Sequence, residues 1–142
     1  MKQRFQKYID DDPELAEGYN KIFRVWIIYG SIPWLIMAIG MLTGTTHNVF
    51  EYFNPKALNP AVLAFHFSLV LIYLLIAYWV FLNNGASFLS KHPGLIVFRG
   101  FGTTKDITSE TAIKMFVGLV LLSGTIAMSA MWILNIKVPT LN

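Results

Sequence analysis

Cysteine is absent from this chain. That excludes disulfides, iron–sulfur clusters, thiolate zinc sites and a cysteine nucleophile, and it leaves the redox compartment open. Charge is scarce. Asp, Glu, Lys and Arg make up 13% of the residues, against about 25% in a soluble domain. Three long stretches carry no charge at all: residues 25–50, 57–90 and 115–136. They contain no carboxylate, which argues against a carrier that moves protons through a buried acid. The G-x-S-x-G and H-E-x-x-H sequences of serine hydrolases and zinc peptidases are missing. The glycines near residue 100 lack the G-K-[S/T] ending of a phosphate loop. Ser31, Ser68 and Ser123 have no acid–base set in the spans to activate them. No internal repeat is visible.

What is present is apolar. Hydrophobic residues make up 55% of the chain and the mean hydropathy is +0.53. A helix crossing a bilayer core of about 30 Å needs about 20 apolar residues. Each charge-free stretch supplies one such segment, at about residues 22–42, 60–82 and 112–136. The expected fold is an all-α integral membrane protein. Its 142 residues form a single domain of three transmembrane helices with short interfacial segments. Residues 1–21 form a tail, 43–59 one loop and 83–111 the other. The acids Asp10, Asp11, Asp12, Glu14 and Glu17 precede the first span. A signal peptide has a short positive n-region instead, so no cleavable signal is expected.

Basic residues predict the orientation. Lys2, Arg4, Lys7, Lys21, Arg24, Lys91, Arg99, Lys105 and Lys114 fall in the tail and the second loop. Only Lys56 and Lys137 fall on the opposite side. Positive residues resist translocation, so the N-terminus is expected in the cytoplasm and the C-terminus outside. The membrane is a plasma, inner or energy-converting membrane. Trp26, Tyr29, Tyr78, Trp79 and Trp132 sit near the span edges, where aromatic belts form. The net charge of +3 reads as loop bias and not as nucleic-acid binding.

Local signals punctuate the chain. Residues 1–9 mix basic and aromatic side chains and are expected on an anionic leaflet or as a frayed tail. Asp12-Pro13-Glu14 starts a helix that runs into the first span, and Pro33 predicts a kink there. The aromatics of the first loop, around Glu51, are expected to cover helix ends or bed into headgroups. Asn59 should cap the second span, with Pro60 at its first position. Asn83-Asn84-Gly85 should end it, and a short helix over 86–91 should stop at His92-Pro93-Gly94. Residues 95–98 are too short to span and are expected at the interface or under the helices. Gly100, Gly102, Thr103 and Thr104 read as a flexible turn, and Thr108 as the cap of the third span.

Small residues mark two candidate association faces. Gly40 and Gly44 form a G-x-x-x-G pair, with the alternative that Gly44 is a helix C-cap. Ser123, Ala127 and Ala130 share one face of the third span, with Leu121 on its lipid-facing side.

One histidine, His66, lies well inside a span, about 9 Å past Pro60 at 1.5 Å per residue. Asn59, His66 and Tyr73 are seven apart and share a face. Neutral imidazole suits haem b ligation, with another subunit, a symmetry-related His66 or His47 folding inward supplying the other axial ligand. A quinone contact or proton relay assisted by Tyr73 is the second chemistry. The third reading is a hydrogen bond to a neighbouring span. His47 and His92 read as solvated or turn residues. No cofactor is expected on the leading reading, which is a non-catalytic accessory or anchoring subunit of a larger membrane complex. The alternatives are a haem- or quinone-binding electron-transfer anchor and an oligomeric channel or transporter.

Overall fold

The structure, a computed structural model, describes residues 2–100 and 103–134. It is mostly helical, and three of its helices are long and apolar enough to cross a membrane. These are α2 (Leu15–Leu42), α3 (Pro60–Ala77, continued by a π-helical turn at Tyr78–Leu82) and α5 (Glu110–Ile133). Two short helices, α1 (Lys2–Asp11) and α4 (Gly85–Ser90), and two strands, β1 (Val97–Gly100) and β2 (Thr103–Asp106), complete the regular structure. The expected third-span boundary at Ile136 and the basic residue Lys137 lie outside the described residues, as does Gly102.

The local signals act as their chemistry dictates. The Asp12 carboxylate accepts the backbone N–H of Glu14 at 3.1 Å, just before α2. Asn59 accepts the N–H of Ala61 at 3.0 Å, and Pro60 opens α3. The α3–α4 corner uses Asn84 in the left-handed region, φ 56°. Gly85 follows because a Cβ there would come within 2.6 Å of the Trp79 ring and 2.7 Å of its carbonyl. Helix α2 continues through Pro33 without a break. The first helical bond of α5 runs to the Ser109 carbonyl, so the cap position is Ser109 and not Thr108.

The chain divides into two compact units, and each long helix contributes to both. The first unit joins Met1–Trp26 with Ile76–Val120. Its core is Val80, Ala86, Leu89 and the fully buried Ile113, with Trp79, Phe88, Leu95, Ile96, Ile107 and Val117 packed around it. Burying one such aliphatic side chain contributes about 1.5–3 kcal/mol. Residues 95 and 96 therefore pack under the helix ends, one of the two expected placements. Of the expected turn, Gly100 ends β1 and Thr103 and Thr104 lie in β2. β1 and β2 pair antiparallel, with Phe98 opposite Lys105 and Val97 opposite Asp106. Helix α1 packs on the chain through its aromatic residues. Phe5 is buried against Tyr19 and Phe23, with ring centroids 4.9 and 5.2 Å away. The Tyr8 hydroxyl donates to Asp106.

The second unit joins Ile27–Leu75 with Leu121–Asn142. Its first loop is compact. Asn48 accepts the Phe50 N–H at 2.9 Å, and Glu51 reaches back to the His47 N–H at 2.8 Å. Both are capping bonds for the 3₁₀ turn Val49–Phe53. Asn59 also donates to the Thr45 carbonyl at 2.6 Å, tying the loop to the start of α3. In the same unit α5 presents Gly124 to Tyr73. A Cβ at position 124 would fall 2.1 Å from the Tyr73 hydroxyl oxygen and 2.8 Å from ring carbons. Gly30, also in a long helix, has nothing within 4 Å of such a Cβ.

The two glycines separate packing from helix propensity. Gly124→Ala should lower stability by about 1–3 kcal/mol, because Tyr73 must shift in a filled space. Gly30→Ala should be neutral or stabilising by up to about 1 kcal/mol, because alanine loses less backbone entropy. Thermal or denaturant unfolding in detergent reads both. Equal effects would show that Tyr73 does not rest on Gly124.

Candidate functional site

His66 is carried by the second turn of α3 and is 3% exposed. Its position follows from helix geometry. Val62, His66 and residue 69 lie on one side of α3, and Val62 is 1% exposed. The His66 Nε2 atom lies 2.9 Å from the backbone carbonyl of Tyr52. A carbonyl oxygen only accepts, so Nε2 carries the proton and donates. Nδ1 then holds a lone pair. It is buried and has no hydrogen-bond partner among the described residues. The rings of Phe65 and Trp132 stand edge-on to the imidazole, at 5.7 and 5.8 Å.

Tyr52 is the residue that sequence reading missed. It is 1% exposed and enters from the first loop. Its hydroxyl lies 3.2 Å from the Thr46 hydroxyl, 3.3 Å from the Met37 carbonyl and 3.5 Å from the Ile36 carbonyl. Its ring meets Phe65 edge-on at 5.2 Å. Room for the hydroxyl comes from Gly40. A Cβ at that position would lie 2.2 Å from the Tyr52 oxygen and 3.0 Å from the Ala61 Cβ. A signal existed in the sequence, a glycine inside an apolar helix followed by an aromatic loop. Nothing local tells which aromatic fills the notch.

The remaining candidates fall as follows. Gly44 sits beyond α2 with φ +69°, so it is the C-cap, and only Gly40 of the pair gives close approach. That approach is made within the chain. Tyr73 is half-buried, with its hydroxyl against Gly124. His47 is exposed in the first loop, and does not fold inward toward His66. On α5 the in-chain face is Leu121, Gly124, Met128 and Met131, all half-buried. Leu121 is therefore part of the face that packs within the chain. Ser123 and Ala127 are exposed and Ala130 is half-buried, so in-chain packing centres on the side of α5 next to the expected stripe. A large residue on the facing helix, Tyr73, selects Gly124 over the other small positions.

A second buried histidine lies in the first unit. His92 lies in the expected turn, but at 9% exposed it is not solvated. Its Nδ1–H donates to the Phe88 carbonyl at 2.7 Å, and its ring stacks on Phe88 at 4.1 Å. Tyr19 meets it edge-on at 5.3 Å and donates its own hydroxyl to the Pro93 carbonyl at 2.7 Å. Gly18 makes the space, since a Cβ there would fall 1.8 Å from the His92 Nε2. This cluster staples the start of α2 to the turn after α4.

Chemically, the His66 site offers one fixed donor and one buried acceptor. Haem ligation through Nε2 requires loss of the bond to Tyr52. No group of three or more His, Asp or Glu side chains able to hold a metal ion occurs among the described residues. The arrangement fits a polar tie between a loop carbonyl and a span. His66→Leu removes the donor from a buried carbonyl and should cost about 1 kcal/mol. His66→Gln keeps an amide donor and should cost less. Unfolding midpoints in detergent order the three proteins. Gln behaving like Leu would show that the Tyr52 bond contributes nothing. Compared with protein families, curated proteins and solved structures, the chain finds no match.

Proposed function

We propose that this chain is a small non-catalytic accessory or anchoring subunit of a larger membrane protein complex, held in the bilayer by three helices. The observation that carries this reading is the division of labour on α5. One face, Leu121–Gly124–Met128–Met131, packs within the chain, while Ser123 and Ala127 are exposed on another. Small side chains on an exposed apolar helix allow a further helix to approach closely. The hydroxyls of the spans support a structural role. Ser31, Ser68 and Thr125 each donate to a carbonyl three or four residues back in their own helix, at 2.6–2.8 Å. Groups satisfied in this way do not form a polar path for a transported solute.

The second reading is an electron-transfer anchor that binds haem b or a quinone at His66. The buried Nδ1 lone pair favours it. One preparation tests both. The protein is isolated in mild detergent with its natural partners and sized by native mass spectrometry, and its visible spectrum is recorded. The expected result is a colourless assembly larger than the 16.1 kDa chain. Ala127→Leu should dissociate it, and Leu122→Ile, at a 57% exposed position off that face, should not. A monomer would overturn the subunit reading. A Soret band lost in His66→Gln would establish the second.

The proposed orientation places the N-terminus in the cytoplasm. It rests on the nine-to-two basic bias between the two sides. The absence of cysteine makes single labels simple to read. Cysteines at Ser90 and Thr45 should react with an impermeant reagent from opposite sides of sealed membranes. Labelling of both from one side would reverse or abolish the assignment.

A further inference from the structure

The β1–β2 hairpin has two unlike faces. Residues directly opposite in an antiparallel pair lie on the same face. Val97 and Asp106 form one pair, and both are half-buried. The Tyr8 hydroxyl donates to the Asp106 carboxylate there, so this face is held by α1. Phe98 and Lys105 form the next pair, and they lie on the other face. Phe98 is 58% exposed and Lys105 is exposed. The hairpin therefore turns its acid toward the protein and an aromatic ring beside a cation away from it.

The base of the hairpin is anchored at the helix ends. The Ile107 N–H donates to the Ile96 carbonyl at 3.0 Å. Both side chains pack against the core formed by Val80, Ala86, Leu89 and Ile113, residues at the end of α3, in α4 and in the first turn of α5. Four residues of strand reach about 13 Å from that base. The polar layer on each side of a bilayer core is only about 5–8 Å thick. A hairpin rooted at the ends of two spans thus starts within reach of the headgroups.

We infer that the Phe98–Lys105 face of the hairpin docks on the anionic phospholipid leaflet beside the spans, with the Phe98 ring among the upper acyl chains and the Lys105 ammonium at phosphate level. Three features favour lipid as the occupant. The exposed pair joins an apolar group to a cation, the combination that interfacial segments use. The one acid of the hairpin is turned away and bonded. The root of the hairpin is continuous with the apolar helices. The inference rests on α2, α3 and α5 lying in a bilayer, and not on the subunit reading.

The full chain in nanodiscs tests it. Single cysteines at Phe98 and, as a control, at Phe67 of α3 (70% exposed) carry a nitroxide, an apolar label of comparable bulk. Collision with a water-soluble nickel relaxer is compared in phosphatidylglycerol and phosphatidylcholine discs. The Phe67 label should be shielded in both. The Phe98 label should be shielded in phosphatidylglycerol, and Lys105→Gln should shift its embedded-to-exposed ratio about fivefold toward water. Hydrogen exchange of the unlabelled chain should show the hairpin amides slower in phosphatidylglycerol. A relaxer-accessible Phe67 would overturn the bilayer placement itself. A shielded Phe67 with Phe98 water-exposed in both lipids would overturn the hairpin inference alone. Shielding of Phe98 that persists in detergent and ignores Lys105→Gln would mean a protein contact, and would overturn it too.

Discussion

Tyr52 is tied at both ends. Its carbonyl receives the imidazole proton of His66, and its hydroxyl reaches Thr46 and the carbonyls of Met37 and Ile36. Remove these ties and, of the polar bonds described, only that from Asn59 to the Thr45 carbonyl still holds the first loop to the start of α3. An aromatic loop outside the helices would otherwise expose backbone groups and a large ring together. Here the ring is buried and the polar ends are bonded. The requirement behind this is general. A buried polar group that lacks a partner costs more than a satisfied one contributes. That cost rises where no water can substitute. It accounts for the back-bonded Ser31, Ser68 and Thr125 as well. It also makes the Nδ1 of His66, a buried acceptor opposite a firmly held donor, the one chemically unresolved atom of this neighbourhood.

Glycine performs the complementary task. At Gly40, Gly124 and Gly18 the missing Cβ is replaced by the tip of a tyrosine or histidine. In each case a polar aromatic side chain lies across a helix backbone. The hydroxyl of Tyr52 thereby meets helix carbonyls, and the ring of His92 meets Phe88 and Tyr19. Such notches make the packing directional. Leucine against leucine leaves register weakly defined in an apolar medium, because lipid packs about as well. A ring in a notch has one position.

The sequence displays the features that depend on short range. The three long apolar helices follow from the absence of charge, and α2 and α3 begin where Asp12, Asn59 and Pro60 place them. Helix α4 and the turn at His92 lie where glycine and proline put them. What the sequence conceals depends on partners far along the chain. β2 reads as polar loop, and it becomes a strand only because β1 supplies hydrogen bonds and Tyr8 fixes Asp106. The stripe of Ser123, Ala127 and Ala130 and the neighbouring Gly124 are equivalent by size. Tyr73 on another helix chooses between them. The partner of His66 is a backbone carbonyl, which has no side-chain signature at all. Half of the site was legible for that reason: the histidine, but not what holds it.

The two buried histidines differ in what their surroundings allow. His92 stacks on Phe88, donates to that residue's carbonyl and fills the space over Gly18. Its ring closes a local structure and offers no face to a ligand. His66 is also held by one carbonyl, but its other nitrogen is buried without a hydrogen-bond partner among the described residues. Its lone pair remains the natural place for a donor group to be added by a partner. Reading His66 as a tie is thus compatible with the proposed subunit role: the tie holds the first loop against α3 and leaves Ser123 and Ala127 of α5 exposed.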